Sequence, residues 1–189
     1  MSRITFVIGG ARSGKSAFAE SLAPKDGRVV YIATAEAGDP EMSSRIAAHK
    51  SRRPAGWGTW EDGVLSLPGE IGKIAPMADA LILDSLTMYL SAAMLALPEG
   101  TDGDEALWRP AEKKILDGAR NIFAGFREAA DGTDKRLIVV SDEAGCGIVP
   151  AYPLGRRFRD LLGSANQIAA GIADEAALVV AGLPLWLKP

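Results

Sequence analysis

The sequence contains very little cysteine or histidine. Among its 189 residues there is one cysteine, Cys146, and one histidine, His49. A single cysteine cannot close a disulfide within the chain, and these two side chains cannot complete a zinc site between them. The composition therefore excludes a disulfide-stapled scaffold and indicates a reducing compartment.

The sequence also lacks long apolar runs and an excess of charge of one sign. No apolar run approaches the roughly 18 residues of a membrane helix, and the start of the chain shows no signal-peptide pattern. There are 21 basic and 24 acidic residues, for a formal net charge of -3, so the overall charge does not favour a nucleic-acid partner. We expect a cytoplasmic protein with no membrane span and no nucleic-acid partner.

The composition is typical of a soluble domain, with 48% hydrophobic and 24% charged residues. A chain of this length buries about 70% of its unfolded surface, which is enough for a core without metals or disulfides. We expect a single domain over residues 1–189.

Short apolar segments alternate along the chain with longer segments of helical period. The predicted strands are 4–8, 29–32, 80–83, 137–140 and 177–181, and the predicted helices are 16–22, 41–50, 86–97, 104–130 and 154–173. Loops are predicted at 35–40, 98–104 and 145–153. Residues 183–189 are predicted to form a short strand, and their two prolines place it at an edge of the sheet. This order predicts an α/β fold with a mainly parallel central sheet flanked by helices.

The strongest motif is GGARSGKS, which follows the first predicted strand and precedes the first predicted helix. It comprises Gly9, Gly10, Ala11, Arg12, Ser13, Gly14, Lys15 and Ser16. The motif matches the P-loop pattern, in which backbone N–H groups surround phosphates, the lysine reaches the β and γ phosphates and the serine binds Mg²⁺. The alternative is an ordinary glycine-rich turn. The strand and helix on either side favour a nucleotide site.

Acidic residues follow two other predicted strands. Asp84 ends the run ALILD, where a P-loop enzyme places the acid that holds the Mg²⁺ shell. Alternatively Asp84, or Ser85 beside it, caps the next helix. Asp142 and Glu143 follow the strand at 137–140, and these residues are either part of a ligand site or simple turn residues.

His49 lies in a basic segment, EMSSRIAAHKSRR. Its cationic neighbours are Arg45, Lys50, Arg52 and Arg53. The simplest interpretation is a solvated helix face. However, repulsion by these cations favours the neutral imidazole, which can act as a nucleophile, and the same cations would stabilise negative charge on an attacked phosphate.

These pieces together resemble the bifunctional adenosylcobinamide kinase and adenosylcobinamide-phosphate guanylyltransferase family of cobalamin biosynthesis. The resemblance covers nearly the whole chain. It rests on GGARSGKS, YIATAE, RIAAHKSRRPAGWGTWE, LILDSLT, VSDEAGCGIVP and LGRRFRDLLGSANQIAAGIADEAALVVAGLPL. The expected fold is then a RecA-like P-loop NTPase.

The resemblance implies site residues as well. It places the guanylylated histidine at His49 and makes Lys15 the catalytic lysine of the P-loop. Further nucleotide contacts are implied at Thr34, Ala35, Glu36, Lys50, Ser51, Arg52, Arg53, Glu61 and Asp84, with Ser16 and Asp84 at the metal. Glu61 would bind either the guanine or the ribose. The family usually has Asn-Glu where this chain has Asp142-Glu143, so Asp142 is left out of the predicted site.

The implied function has two steps. ATP or GTP, with Mg²⁺, phosphorylates adenosylcobinamide, and GMP then passes from GTP through His49 to adenosylcobinamide phosphate. A domain of this size would need a neighbouring copy to enclose a corrin, so we expect a homo-oligomer. One alternative is a P-loop kinase for a small metabolite without guanylyl transfer. Another is an ATPase that drives a partner.

For three features the sequence leaves two interpretations open. Trp57 and Trp60 either stack on a ligand or pack in the fold. Arg156, Arg157 and Arg159 either meet a phosphate or a corrin amide, or form a solvated helix face. The two reactions use either one nucleotide site or two.

Overall fold

The computed structural model describes residues 1–35, 50 and 53–189. In this part of the chain the strands are β1 (Arg3–Gly9), β2 (Val29–Ala33), β3 (Gly58–Trp60), β4 (Ala80–Asp84), β5 (Arg136–Asp142), β6 (Glu175–Val180) and β7 (Leu183–Lys188). The α-helices are α1 (Lys15–Ser21), α2 (Leu67–Ile74), α3 (Leu86–Leu95), α4 (Glu105–Ala129) and α5 (Pro153–Ile172). Short 3₁₀ turns cover Val64–Ser66, Ala75–Met77 and Thr101–Gly103. The helix expected at 41–50 lies outside the described residues except for Lys50.

The strands form one sheet in the order β3-β2-β4-β5-β1-β6-β7. Every neighbouring pair is parallel except β6 and β7, which are antiparallel. β1 therefore lies between β5 and β6. This arrangement brings the carboxyl ends of β1, β2, β4 and β5 to one edge of the sheet, where α/β folds bind their ligands.

Successive side chains of the central strands pack into cores on opposite faces of the sheet. Leu81 and Leu83 of β4 join the core beneath α2 to α5. Ile82, between them, joins the core on the face that carries α1. Burial on both faces explains why these strands are continuous apolar runs. No helix of the described residues is both long and apolar enough to cross a membrane.

The predicted strands and helices in the described part of the chain are confirmed, each with both ends within two residues of the prediction. The edge strand at the C-terminal end is confirmed as β7. The prediction of strand through residue 181 is wrong, because Ala181 and Gly182 have φ values of 51° and 81° and form the turn between β6 and β7. Positive φ at both central residues is what a tight hairpin turn requires.

Two elements were not predicted. β3 has only three residues, too few to show a period. α2 contains Pro68, Gly69 and Gly72, which lower its helical signal. The packing of α2 against α4 explains why α4 has a glycine at position 125. A Cβ at Gly125 would lie 2.7 Å from Cγ2 of Ile71 in α2. The glycine lets the two helices approach closely.

Candidate nucleotide site

The GGARSGKS segment forms the turn between β1 and α1, as the sequence predicted. Gly14 has a φ of 93°, a left-handed conformation that glycine adopts without a steric penalty. At Gly9 a Cβ would lie 2.6 Å from the carbonyl oxygen of Val179 and 2.5 Å from Oγ of Ser13. Both glycines are therefore required by the backbone geometry of the loop itself.

The hairpin between β6 and β7 supports this loop. The backbone N–H of Gly182 donates to the carbonyl of Ser13 at 2.7 Å, and a Cβ on Gly14 would lie 3.0 Å from Cα of Gly182. Trp186 of β7 packs edge-on against Phe18 of α1, with ring centroids 5.9 Å apart. The sequence pattern gave no sign of this support.

Lys15 is the first residue of α1, and its side chain is only 13% exposed. Its Nζ donates to the carbonyl of Gly10 at 3.2 Å and lies 2.6 Å from Oδ1 of Asp142. Asp142, which was left out of the predicted site, thus places its carboxylate directly against the P-loop lysine. The sequence signal that pointed to Asp142 was an acidic residue at the carboxyl end of a predicted central strand.

The backbone of Asp142 is fixed on both sides. Its N–H donates to Oγ1 of Thr87 at 2.7 Å, and Nδ2 of Asn166 donates to its carbonyl at 3.0 Å. Asn166 also accepts a 2.6 Å hydrogen bond from Oγ of Ser141. Side chains from α3 and α5 thus hold the end of β5 in register with the P-loop.

Asp84 ends β4, and Ser85 rather than Asp84 caps α3: its Oγ accepts from the N–H of Met88 at 3.3 Å. Oδ2 of Asp84 instead accepts a 2.5 Å hydrogen bond from the hydroxyl of Tyr31. Burial, followed by the Asp84 carboxylate, raises the pKa of Tyr31 far above its ordinary value. The raised pKa keeps the Tyr31 hydroxyl protonated, so that it can donate to Asp84.

Arg53 covers the other side of Tyr31. Its guanidinium carbon lies 3.4 Å from the centroid of the tyrosine ring, in a cation–π contact. Nε and Nη1 of Arg53 are buried and have no hydrogen-bond partner within the described part of the chain. Two buried donors without an acceptor suit an anionic ligand.

Thr34 is only 2% exposed and joins the ends of β2 and β4. Its Oγ1 donates to the carbonyl of Ser85 at 2.8 Å and accepts from the N–H of Ser85 at 2.6 Å. Its own N–H donates to the carbonyl of Asp84 at 3.2 Å. The observed role of Thr34 is to fix the end of β4, and a nucleotide contact there stays a prediction.

Some of the other predicted contacts lie in the described part of the chain and some lie outside it. Lys50 and Glu61 form an exposed ion pair of 2.7 Å, and Ala35 follows β2 half-buried. Glu36, His49, Ser51 and Arg52 lie outside the described residues. Trp57 and Trp60 are half-buried and pack against the cores on opposite faces of the sheet, which favours packing over ligand stacking.

The segment 143–152, between β5 and α5, is held by hydrogen bonds to its backbone. The N–H of Glu143 donates to the carbonyl of Gly9 at 3.1 Å, and its carboxylate accepts from the N–H groups of Gly145 and Cys146 at 2.6 and 3.2 Å. Burial acts to raise the pKa of Glu143, but these hydrogen bonds hold it below its usual range. Glu143 therefore anchors the loop as a carboxylate.

The arginines of α5 have partners within the protein. Arg159 donates to the carbonyl of Gly145 at 2.6 Å, and Arg156 donates to the carbonyl of Ala151 at 2.6 Å. Arg157 forms a 2.6 Å ion pair with Glu105 and lies over the ring of Trp108. Two of the three organise the 143–152 loop, an outcome that neither sequence interpretation anticipated.

Two residues carry oxygen donors suited to a cation: Ser16, the second residue of α1, has a hydroxyl, and Asp84, the last residue of β4, has a carboxylate. No group of three histidine, cysteine, aspartate or glutamate side chains that could hold a metal ion is found among the described residues. Mg²⁺ is usually bound by one or two carboxylates together with substrate phosphates rather than by a protein cage. The donor set therefore fits a Mg²⁺ ion that binds with its nucleotide.

Solved structures with a similar fold include a RadB recombinase, at a TM-score of 0.51 and 12% identity, with 93% of this chain and 73% of that chain covered. An ATPase of a type III secretion system matches at a TM-score of 0.55 and 14% identity, over 97% of this chain. The match spans just over half, 56%, of that ATPase chain. These likenesses confirm the predicted RecA-like fold.

Relatives by sequence are named as bifunctional adenosylcobalamin biosynthesis proteins. The bifunctional adenosylcobalamin biosynthesis protein CobP of Pseudomonas aeruginosa is 39% identical, over 96% of this chain and 95% of its own. The protein CobU of Salmonella typhimurium is 37% identical and that of Escherichia coli 33%, each over 96% of this chain and 98% of its own. The family model for cobinamide kinase / cobinamide phosphate guanyltransferase matches residues 5–187. With these matches along nearly its whole length, the chain belongs to the cobinamide kinase / cobinamide phosphate guanyltransferase family.

Proposed function

We propose that this chain, as one nucleotide-binding domain over residues 1–189, phosphorylates adenosylcobinamide and then transfers GMP to the product. The observation that carries the proposal is the position of Lys15: it starts α1, within a P-loop, and faces the carboxyl edge of the sheet where Asp84 and Asp142 end their strands. Family membership favours this function over a kinase without guanylyl transfer and over an ATPase that drives a partner. The need for GTP and ATP favours a cytoplasmic location.

In the kinase step, the hydroxyl oxygen of the aminopropanol arm attacks the γ-phosphorus of ATP or GTP. A new P–O bond forms, the bond between the γ-phosphorus and the bridging oxygen breaks, and the nucleoside diphosphate leaves with that electron pair. The proton of the attacking hydroxyl is released to solvent water. Lys15 and the loop N–H groups bind the phosphate oxygens and neutralise their charge, since phosphoryl transfer depends mainly on positioning and electrostatics. Ser16 and Asp84 would hold Mg²⁺, which supplies further charge neutralisation when bound.

Arg53 would add a second anion contact. Its buried Nε and Nη1 make no hydrogen bond among the described residues, and its guanidinium is stacked against Tyr31, which in turn donates to Asp84. A phosphate oxygen would satisfy these donors. The remaining proposed nucleotide contacts are Thr34, Ala35, Glu36, Lys50, Ser51, Arg52 and Glu61.

In the transfer step, an imidazole nitrogen of His49 attacks the α-phosphorus of GTP and pyrophosphate leaves. The phosphate oxygen of adenosylcobinamide phosphate then attacks the same phosphorus, the P–N bond breaks and adenosylcobinamide-GDP forms. Splitting the transfer in two lets each anionic reactant approach the basic segment separately. Lys50, which follows His49 in the sequence, forms an exposed ion pair with Glu61.

The decisive experiment uses GTP labelled at the α-phosphate. Wild-type protein with Mg²⁺ should acquire protein-bound label that is acid-labile and base-stable, as a phosphoramidate is. His49→Ala should acquire none, while it still phosphorylates adenosylcobinamide. Guanylyl transfer by His49→Ala at the wild-type rate would refute the covalent role of His49.

The P-loop assignment has its own test. Lys15→Ala should lower the kinase kcat about 100- to 1000-fold, as when one charge-stabilising group is lost from an active site. Lys25→Ala removes an exposed cation shortly after α1 and is the matched control. Undiminished phosphoryl transfer in Lys15→Ala would refute the assignment. Whether that variant still labels His49 tells if the two reactions share one nucleotide site.

We also propose that the working enzyme is a homo-oligomer, because the corrin acceptor is large for a chain of this size. Light scattering should give a mass that is a multiple of the 19.8 kDa chain mass. A monomeric mass at assay concentration would refute it.

A further inference from the structure

The peptide between Ser13 and Gly14, inside the P-loop, is held by a group from outside the loop. The backbone N–H of Gly182, in the turn between β6 and β7, donates to the carbonyl of Ser13 at 2.7 Å. Two hydrogen bonds within the loop are longer, at 3.2 Å from the N–H of Ser13 to the carbonyl of Gly10 and 3.4 Å from the N–H of Lys15 to Oγ of Ser13. The bond from the hairpin is the shortest of the three.

This bond also fixes the direction of a second group. The peptide is trans, and a trans peptide is planar with its carbonyl and its N–H pointing in opposite directions. Because the Ser13 carbonyl points toward Gly182, the N–H of Gly14 points away from the hairpin. Within the described part of the chain this N–H makes no hydrogen bond. It is therefore available as a donor to a ligand of the loop.

The glycine at position 14 makes this peptide easy to turn over. Gly14 has a φ of 93°, and glycine adopts positive and negative φ about equally readily. Rotation of the peptide therefore meets little steric resistance at Gly14 itself. The reversed peptide would present the carbonyl of Ser13 to an incoming phosphate in place of an N–H, and the two groups would repel each other. A contact from outside the loop is thus needed to select the orientation.

The hairpin that supplies this contact is itself fixed against the fold. Ala181 and Gly182 have φ values of 51° and 81°, as a two-residue hairpin turn requires. A Cβ on Gly14 would lie 3.0 Å from Cα of Gly182, so the two backbones meet without a side chain between them. Trp186 of β7 packs edge-on against Phe18 of α1. These contacts hold the N–H of Gly182 in place independently of the bond that it donates.

We propose that Gly182 is a positioning residue for phosphate binding, and this proposal rests on the proposed function. Gly182 holds the Ser13 carbonyl outside the loop and thereby aims the N–H of Gly14 at the phosphates of the nucleotide. Preorganised N–H donors stabilise negative charge without having to reorient when the charge arrives. The hairpin contains none of the predicted site residues, and it acts on the reaction through the backbone of the P-loop.

The test removes this one backbone donor. Residues 1–163 are ligated to a synthetic peptide of residues 164–189 in which an ester replaces the amide between Ala181 and Gly182. The matched control is the same ligation with the amide, and both chains carry Ser164→Cys for the ligation. We expect the Kd for ADP, measured by equilibrium titration, to be about tenfold or more higher in the ester chain, the scale of one hydrogen bond to a charged group. Equal Kd values in two folded chains would overturn the proposal.

A spectroscopic measurement follows the peptide itself. Ser13-Gly14 is the only serine-glycine pair in the sequence, so carbonyl-¹³C serine and ¹⁵N glycine together give one NMR signal from it. In the amide chain the N–H signal should move downfield when ADP binds, because a hydrogen bond to phosphate forms. In the ester chain the shift should be smaller. The same shift in both chains would mean that the hairpin only adds stability, and the proposal would be wrong.

A side-chain variant provides a second test if the ester chain does not fold. Trp186→Ala removes the ring that packs on Phe18 and so loosens the hairpin. The Kd for ADP should rise about threefold, the scale of one aromatic pair. Leu185→Ala is the matched control, because Leu185 belongs to the same strand and is exposed. Equal Kd values for ADP in the two variants would count against a role for the hairpin.

The outcomes separate this proposal from the function on which it rests. If the ester chain phosphorylates adenosylcobinamide and binds ADP as the amide chain does, Gly182 has no positioning role and the function stands. If ADP binding depends on the Gly182 amide but adenosylcobinamide is not phosphorylated by the wild-type chain, the positioning role stands and the kinase function is wrong. A wild-type chain that does not bind ADP refutes both.

Discussion

The ammonium group of Lys15 lies 2.6 Å from the carboxylate of Asp142. Lys15 begins the helix that follows the P-loop, and Asp142 ends β5, the strand next to β1. A nucleotide that bound its terminal phosphates to Lys15 would have to compete with this carboxylate. The ion pair therefore opposes nucleotide binding in the free protein.

Asp142→Asn should tighten nucleotide binding. The variant removes the competing charge but keeps a side chain of the same shape. Because a partly exposed ion pair is worth about 1 kcal/mol or less, we expect the Kd for ATP to fall about two- to fivefold, as measured by equilibrium titration. Asp160→Asn removes an exposed carboxylate of α5 and controls for overall charge. Equal effects in both variants would contradict a specific role for the ion pair.

Tyr31→Phe should weaken the kinase reaction. The hydroxyl of Tyr31 orients the Asp84 carboxylate through a 2.5 Å hydrogen bond, and hydrogen bonds to charged groups are worth about 1.5–3 kcal/mol. We expect kcat/KM for phosphoryl transfer to fall about tenfold, with a higher Mg²⁺ concentration needed for half-maximal rate. Tyr89→Phe is the control, because burial alone raises the pKa of Tyr89. Wild-type kinetics in Tyr31→Phe would show that Asp84 needs no such support.

Gly9→Ala and Gly10→Ala should differ sharply in stability. A Cβ at Gly9 would collide with Ser13 and with the carbonyl of Val179, whereas a Cβ at Gly10 has no neighbour within 4 Å. We expect Gly9→Ala to lower the free energy of unfolding by about 1–3 kcal/mol, the usual cost of overpacking. Gly10→Ala should change it by less than about 0.5 kcal/mol. Urea unfolding of the nucleotide-free proteins measures both, and similar midpoints would refute the steric argument.

Asp174→Asn should make stability less dependent on pH. Oδ2 of Asp174 accepts from the N–H of Ile4 and from Nη2 of Arg127, each at 2.7 Å. Burial acts to raise the pKa of this carboxyl, but these hydrogen bonds and the Arg127 charge hold it below its usual range. The folded state therefore favours the ionised carboxylate, and its contribution is present above about pH 4 and lost as pH falls through the lowered pKa.

At neutral pH, Asp174→Asn should lower the free energy of unfolding by about 1–2 kcal/mol. This difference from wild type should shrink below about pH 4. Urea unfolding at a series of pH values measures it. Asp131→Asn, at the same edge of the sheet, serves as the control. A difference between wild type and Asp174→Asn that grew as the pH fell would contradict the assignment.

Several elements could be predicted because their signals are local. β4 is a run of apolar residues ending in Asp84, and the P-loop carries its glycines and lysine in a fixed spacing. α2 could not be predicted, since Gly69 and Gly72 lower its intrinsic helical propensity. The turn at Ala181 was missed because its positive φ depends on the hairpin rather than on its own residue type.

The site was predictable only where the motif itself carries the chemistry. Lys15 and Asp84 lie at the ends of elements whose order follows from the α/β pattern, so their positions could be expected. The contact of Asp142 with Lys15 depends on β5 lying beside β1, although β1 and β5 are separated by more than a hundred residues of sequence. The stacking of Arg53 on Tyr31 likewise joins distant segments, and no spacing rule predicts it.

The central place of β1 bears on how the protein is made. β1 pairs with β5 and β6, and the loop after it rests on Gly182. During synthesis β1 leaves the ribosome well before β5 and β6, so it must wait for both of its partners. Such non-local pairing slows folding and leaves an apolar strand without its neighbours in the meantime. Stalled or truncated chains that lack β6 and β7 would therefore expose β1 to aggregation, and the nucleotide loop would be among the last parts of the fold to form.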